Sequence, residues 1–418
     1  MDWPNELELE LTAMAQGGDA VGRYEGRAVF ASGGLPTELV RVLLHDRQKA
    51  FARGRVVEVL RAAPSRIGSP CPLESICGAA DWRWIDPQAQ REFKSAILQE
   101  QLRHIGGLDV EVLPSPEIDE HETWGYRTTA ELHVSQDRIG YFLPGSRRVA
   151  DIPACCLHHP LINEALAALR PLLSREIELR GVTLRCSPGS GEVIALLDGR
   201  GPLRELARRW RSAHKPLVGV VHAQQRRTLD GRDWIERTVG GVRFRLSASA
   251  FFQVNAYQTE RLVERVRALL AAQPGTRLLD LYCGVGLFAL SLAGEVAEVV
   301  GVEEWQPAID DARHSAQQNR LTNLSFEVGA AEQVIDNLSS SFDRVVLDPP
   351  RRGCAPEVLA ALTRLQPERI VYVSCHPGTL ARDCKQLAAA GYRITSAEVI
   401  DMFPHTHHVE SIVRLERE

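Results

Sequence analysis

The sequence predicts three folding units in one chain: a small OB-like β-barrel, a central α+β unit, and a C-terminal α/β unit on a doubly wound parallel sheet. Three observations carry this. Residues 1–65 read as short strands separated by glycines, with no helical periodicity. A Pro/Gly/Ser-rich joint at 64–72 then opens a segment, 66–245, in which strands and amphipathic helices mix. From 246 to 418 strand and helix alternate regularly, the pattern of a parallel sheet with helical crossovers. At 418 residues the chain is too long for one hydrophobic core.

In the barrel, Leu7 to Leu11 alternates apolar with acidic residues, and Gly17-Gly18 turns the chain. Ala28 to Phe30, Leu39 to Leu44 and Val56 to Leu60 supply further strands, and a five-stranded barrel of this kind is often used on single-stranded nucleic acid. In the central unit, Gln88 to Leu102 is an amphipathic helix. Thr128 to Val134 and Arg138 to Phe142 form a hairpin, and a helix runs near Leu161 to Leu173. Strand-like runs follow at 182–184, 193–197, 217–221 and 242–246. The C-terminal unit opens with a helix at 257–272. Strands at 277–281, 296–302, 324–328, 344–347 and 370–373 then alternate with helices, and strands at 394–400 and 411–415 form an antiparallel pair at the end.

Hydrophobic residues make up 44% of the chain and charged residues 25%, ordinary values for a globular protein. No apolar run is long enough to span a bilayer, and Met1-Asp2-Trp3-Pro4 is not a secretion signal. A cytoplasmic monomer with no membrane partner is expected. Nine cysteines in so long a chain point to reduced thiols with catalytic or metal roles rather than to a disulfide framework. The formal net charge of −5 argues against a uniformly basic surface, yet between Arg200 and Arg245 twelve Lys/Arg face four Asp/Glu, a local net of +8. That stretch is a candidate phosphate-binding patch.

Four segments carry chemistry. Ile370 to Val373 is a buried strand that stops at Ser374-Cys375, before the turn residues Pro377 and Gly378. A cysteine there faces the crevice in which α/β folds bind ligands. Leu278 to Ala289 joins a strand to a helix through Gly284 and Gly286. Glu303 ends the next strand about 20 residues on, the place of a ribose-binding carboxylate. A nicotinamide enzyme is one reading of this loop. Asp280 before the glycines favours S-adenosylmethionine instead, because a carboxylate can face a cationic methionine moiety and would repel a pyrophosphate. In Asp348-Pro349-Pro350-Arg351-Arg352-Gly353 two prolines fix the turn and aim Asp348 at the cofactor's edge. Arg351 stands where amine-methylating enzymes carry an aromatic residue. Finally, Asp401 to Glu410 holds His405, His407 and His408. Adjacent histidines in a strand point to opposite faces, which disfavours a metal site. Glu410 opens the last strand and is a general base if desolvated.

Together with Phe251-Phe252-Gln253-Val254-Asn255 and Ser374-Cys375-x-Pro377-x-Thr379-Leu380-Ala381-Arg382-Asp383, these segments resemble the RNA uracil-5 methyltransferase family. The resemblance runs the length of the chain, and Gly17 to Phe30 is similar to the TRAM domain of the branch that methylates 23S ribosomal RNA. It implies that Cys375 is the nucleophile and Glu410 the base that removes the C5 proton. It implies further that Gln253, Tyr282, Gly284, Glu303 and Asp348 contact S-adenosylmethionine. The partner implied is RNA, ribosomal before transfer RNA; a non-catalytic RNA-binding protein is the alternative. In this family a 4Fe-4S cluster commonly sits on four cysteines, and Cys71, Cys77 and Cys155 match three of them, with Ala80 at the remaining position. Cys156 or a nearby histidine is an alternative donor. His376 and His405 replace the family's usual Asn and Gln. Ala330 stands where an acid or amide often holds the adenine.

Overall fold

A computed structural model describes residues 3–73, 77–143, 145–338 and 341–418. Strands β1 (Glu6–Met14), β2 (Ala20–Tyr24), β3 (Arg27–Ser32), β4 (Leu39–Arg47) and β5 (Phe51–Arg61) close into the expected five-stranded barrel, in the order β1-β2-β3-β5-β4. The period-2 pattern of β1 explains its placement: Leu7, Leu9 and Leu11 are buried, while Glu6, Glu8 and Glu10 face water. The joint after the barrel is sealed electrostatically. The carboxylate of Glu38, fully buried, accepts from the Leu35 and Ala63 amides at 2.9 and 3.2 Å and from Arg66 at 2.6 and 2.8 Å.

Helix α1 (Pro87–Gln101) begins where Asp86 caps the amides of Gln88 and Ala89 and Pro87 pre-sets the first turn. It ends in a π-helical turn, Leu102–Gly106, ahead of the short strand β6 (Val112–Leu113) and helix α2 (Glu120–Thr123). Strand β7 (Thr129–Ser135), β8 (Arg138–Gly140), helix α3 (Pro160–Leu169), β9 (Glu178–Ser187), β10 (Glu192–Arg200), helix α4 (Leu203–Ala213), β11 (Leu217–His222) and β12 (Thr228–Gly231) build a six-stranded sheet in the order β12-β11-β10-β9-β7-β8. Helix α4 lies where the sequence reading saw only charge. Leu203, Leu206, Ala207 and Trp210 are buried at helical spacing beneath the arginines. A hairpin of β13 (Trp234–Val239) and β14 (Val242–Ser247) follows.

The remaining elements are α5 (Ala256–Leu270), β15 (Arg277–Leu281), α6 (Leu287–Leu292), β16 (Glu298–Glu303), α7 (Gln306–Gln318), β17 (Leu324–Val328), α8 (Ala331–Val334), β18 (Arg344–Leu347), α9 (Pro356–Leu365), β19 (Arg369–Ser374), α10 (Pro377–Ala389), β20 (Tyr392–Ile400) and β21 (Glu410–Arg417). They form an eight-stranded sheet in the order β17-β16-β15-β18-β19-β21-β20-β6. The five strands from β17 to β19 are parallel, and β21 inserts antiparallel between β19 and β20. Val345 to Leu347 and Ile370 to Val373 are completely buried, as parallel strands covered on both faces must be. The edge strand β6 comes from far upstream and pairs with β20, and α1 packs beside it against α10. A buried ion pair, Lys94 Nζ to Asp401 Oδ1 at 2.6 Å, ties α1 to the loop before β21. Lys94 also donates to the Phe403 carbonyl at 2.9 Å, so the charge does not stand unpaired in the core.

Candidate active site

The expected site residues collect at one edge of the eight-stranded sheet because of its register. Leu281 pairs with Val302 on one side and Leu347 on the other, so Tyr282, Glu303 and Asp348 stand level just past the paired positions. On β19 and β21 the last paired residues are Ser374 and Ser411, and one more step of the antiparallel register sets Cys375 across from Glu410. Cys375, Glu410, Gln253, Tyr282, Gly284, Glu303 and Asp348 all line one cavity of about 550 Å³.

One end of the cavity is built for a nucleoside. Gly284 (φ +55°) and Gly286 (φ +82°) turn the chain, and a Cβ on Gly286 would meet Leu290 Cδ1 at 2.2 Å. Both oxygens of Glu303 are anchored, one by the Gly284 amide at 3.1 Å and the other by the Trp305 amide at 2.9 Å. The carboxylate is thereby held rigid while its remaining lone pairs stay free for hydroxyl donors. Val285, Phe288, Val302 and Ala308 make the wall apolar. Ala330 lines this wall, supplying a methyl group where the family resemblance implies an acid or amide. Gln253 is buried, and its carbonyl accepts from Arg237 Nη1 at 3.1 Å. These residues fit S-adenosylmethionine.

Asp280 does not meet the expectation that it faces the cofactor. It is wholly buried outside the cavity lining, and its Oδ2 accepts from the Ala289 amide at 2.8 Å. The sequence places it on the strand, but helix α6 draws its side chain inward. Burial pushes its pKa up to about 8; the Ala289 amide opposes the shift, and the charges of Asp348 and Glu303 add to it.

The other end of the cavity gathers Cys375, Glu410, Asp348 and Arg351. Glu410 is buried, and loss of water, reinforced by the charge of Asp348, raises its pKa well above the carboxylate range. Burial lifts Asp348 to about 7. The Cys375 thiol rises to about 11, first by burial and then by repulsion from Glu410 and Asp348. The positive charge of Arg351 works the other way. In the sequence Arg351 speaks only against amine methylation; its place beside the thiol in the cavity has no sequence signal. The turn that carries it is pinned by Asp383, whose Oδ2 accepts from the Cys354 amide at 2.9 Å and the Tyr372 hydroxyl at 2.7 Å.

The segment before Glu410 is a loop rather than the strand assumed for its histidines, and the rings of His407 and His408 lie 4.4 Å apart instead of on opposite faces. Side chains from distant segments grip it. Trp124 stacks on His405 at 3.7 Å, Tyr126 donates to the Pro404 carbonyl at 3.0 Å, and Asn255 to the Met402 carbonyl at 3.2 Å. His405 is held neutral by burial, its pKa near 3, and His408 near 4.

Cys71, Cys77 and Cys155 lie away from this cavity, and residues 74–76 of their motif are outside the described residues. Cys155 feels the charge of Cys77, and Cys156 those of Cys71 and Cys155, so the four thiols are neighbours. Ala80 is buried with Tyr126 and Leu157 against Cys155. A methyl group therefore fills the corner where a fourth family ligand would be, and burial raises the thiols of Cys155 and Cys156 rather than favouring thiolates. This set does not fit the family's four-cysteine cluster. Among the described residues, the group of side chains close enough to share a metal ion is Asp119, His121 and Glu122, on the surface.

The basic stretch divides. Arg211 pairs with Asp230 at 2.5 Å, Arg232 with Glu192, and Arg245 with Asp311 at 3.2 Å, while Arg237 is buried against Thr128 and Gln253. Those four serve the fold. Arg204, Arg208, Arg209, Lys215, Arg226 and Arg227 remain exposed.

Fold and cavity together define an α/β enzyme that holds a nucleoside cofactor beside a cysteine and a buried acid. The sequence pattern of the tRNA (uracil-5-)-methyltransferase family matches residues 217–418. A 23S rRNA (uracil(1939)-C(5))-methyltransferase of Alkalilimnicola ehrlichii is 36% identical over 439 residues, covering 99% of this chain and 97% of the relative. An RNA methyltransferase of Gloeobacter violaceus whose function is uncharacterised is 34% identical, covering 98% and 96%. Among solved structures, the Pyrococcus abyssi tRNA (uracil-54, C5)-methyltransferase in complex with S-adenosyl-L-homocysteine is similar with a TM-score of 0.76 at 27% identity, covering 98% of this chain and all of that one. The chain belongs to the S-adenosylmethionine-dependent RNA (uracil-5-)-methyltransferases.

Proposed function

We propose that this enzyme methylates C5 of a uridine in 23S ribosomal RNA through a covalent bond between Cys375 and C6 of the base. The observation that carries the reading is the placement of Cys375 across the β19–β21 ladder from the buried acid Glu410, in the cavity that holds the cofactor residues. Gln253, Tyr282, Gly284, Glu303 and Asp348 would hold S-adenosylmethionine, which would supply an electrophilic methyl group and leave as S-adenosylhomocysteine. Uracil C5 is too weak a nucleophile to take it unaided. Attack of the Cys375 sulfur on C6 moves the C5=C6 electron pair toward the C4 carbonyl and makes C5 enolate-like. The thiol proton leaves toward Asp348, which keeps Glu410 ionised, and Arg351 stabilises the thiolate. After C5 has gained the methyl group, ionised Glu410 removes the C5 proton, the double bond re-forms and the sulfur departs. The raised pKa of Glu410 makes it a stronger base than an exposed carboxylate.

On this reading residues 1–65 are a TRAM-type RNA-binding unit, 66–245 a central α+β unit, and 246–418 a Rossmann-like catalytic unit acting as a cytoplasmic monomer. The target uridine must leave any stack to reach a thiol so enclosed. The exposed arginines of α4 and of the β11–β12 turn supply phosphate contacts. Ribosomal RNA is preferred because the relative named for 23S RNA covers almost the whole chain. The transfer-RNA structure supports the second reading. RNA carrying 5-fluorouridine tests the chemistry: fluorine blocks proton removal, so a denaturation-resistant adduct is expected with wild type and not with Cys375→Ala. Mapping 5-methyluridine in a deletion strain decides between the RNAs; loss from transfer RNA alone would overturn the ribosomal assignment.

A further inference from the structure

The turn between β1 and β2 of the barrel lies against the catalytic edge of the sheet, far from it in sequence. Gln16 Nε2 is 2.8 Å from His376 Nε2, across 360 residues, and His376 directly follows the candidate nucleophile. Next on the same turn, a Cβ on Gly18 would meet His407 Cβ at 2.8 Å, so the barrel backbone also touches the loop leading to Glu410. Trp82 and Asp81 close this junction. Trp82 Nε1 donates to the Gly18 carbonyl at 3.3 Å, and Asp81 Oδ2 lies 2.6 Å from His407 Nδ1.

We propose that Gln16 is a positioning residue for Cys375: it braces His376 and thereby fixes the turn that carries the nucleophile and the arginine beside it. This rests on the reading of Cys375 as nucleophile. His376 Nδ1 accepts from the Thr379 amide at 3.2 Å, capping α10. An amide nitrogen is only a donor, so the neutral ring carries its proton on Nε2. That Nε2–H needs an acceptor, and the Gln16 amide must turn its oxygen toward it. Burial and the cations of Arg351 and Arg382 keep the ring neutral. From the ring the contacts run on to the nucleophile. Thr379 Oγ1 donates to the Arg351 carbonyl at 3.1 Å, and Arg351 lines the same cavity as Cys375, where its positive charge opposes those of Glu410 and Asp348 at the thiol. The side-chain amide of Gln16 also lies over Gly378, where an added Cβ would come within 3.1 Å of it.

Because Gln16 acts as an acceptor, its replacements are ranked by chemistry and not by size. Gln16→Glu keeps the acceptor, whereas Gln16→Met keeps the length and loses it. His376→Asn still caps α10 but is too short to reach Gln16. The readout is iodoacetamide alkylation of the Cys375 peptide against pH, followed by mass spectrometry, which needs neither RNA nor turnover. With Gln16→Met the alkylation profile is expected to move to higher pH, with a rate at pH 8 lower by roughly three- to tenfold, as a smaller thiolate fraction requires. The kcat should fall by a similar factor with the KM for RNA unchanged. Gln16→Glu should behave as wild type, His376→Asn should match Gln16→Met, and the double variant should be no worse than either. Wild-type alkylation and kcat in Gln16→Met would overturn the proposal. So would a rise in KM alone, the mark of a barrel that only holds RNA, or a Gln16→Glu variant as impaired as Gln16→Met. Failure of wild type to form the 5-fluorouridine adduct would instead overturn Cys375 as nucleophile, and the alkylation series separates the two failures.

Discussion

Cysteines gather in two parts of this molecule, and different forces place them. Cys375 sits one residue past a completely buried parallel strand, and the ladders on either side leave it one position. Its neighbours come from two other segments, Glu410 from the start of β21 and Asp348 and Arg351 from the turn after β18, and each alters the thiol's acidity. Cys71, Cys77, Cys155 and Cys156 stand in irregular segments after the barrel and before α3, where no ladder sets their spacing. In such segments four thiolate–metal bonds would have to do the ordering, and Ala80 removes one of them. A strand end can hold a reactive thiol unaided; a loop cluster depends on its complete ligand set.

The largest effect expected is at Cys375. Cys375→Ala should lower methylation more than about 10⁴-fold and abolish the fluorouridine adduct, since a nucleophile has no substitute within reach. Measurable turnover in that variant would break the comparison at its stronger side. Glu410→Gln comes next, with turnover down about 10²- to 10⁴-fold and with ordinary, unfluorinated RNA accumulating as adduct on denaturing gels. It also has a stability signature. The folded-state pKa of Glu410 lies above its unfolded value of about 4.3. Its favourable contribution is therefore fully present below about pH 4.3 and is lost as pH rises through the folded pKa. Glu410→Gln should melt higher than wild type at pH 8, and the gap should close toward pH 4; a lower melting temperature at pH 8 would show the carboxylate to be stabilised in place.

Gly353→Ala probes the scaffold beneath Arg351. Gly353 has φ +78°, and an added Cβ would stand 2.5 Å from Asp383 Oδ2. A loss of about 1–3 kcal/mol in chemical denaturation is expected. The smallest effect belongs to the other cysteines. Cys71→Ser should change turnover less than about threefold, and anaerobically purified protein should lack the thiolate–iron absorption near roughly 400 nm. Ala80→Cys should restore iron binding. Brown wild-type protein would mean that Cys156 completes the set.

The alternation of strand and helix from residue 246 onward was legible because burial on both faces demands unbroken apolar runs, and the structure has those elements at nearly the expected bounds. Helix α4 was not, because its narrow apolar stripe lies among arginines whose density drew the reading toward a surface patch. Asp280 was misread for a related reason. A strand position tells which face a side chain leaves by, but not that the Ala289 amide waits there to take it inward.

By itself the sequence determined that Asp348 and Cys375 end apolar strands, that Gly284 and Gly286 lie in a turn, and which residue types stand ready for methyl transfer. Those are local properties of periodicity and backbone freedom. Only the tertiary structure decided that β21 enters antiparallel beside β19 and so brings Glu410 opposite Cys375. It alone set Arg351 against the thiol and the barrel's Gln16 against His376, 360 residues away. Such pairings are settled by register and by the packing of whole units, and residue spacing along the chain carries no record of them.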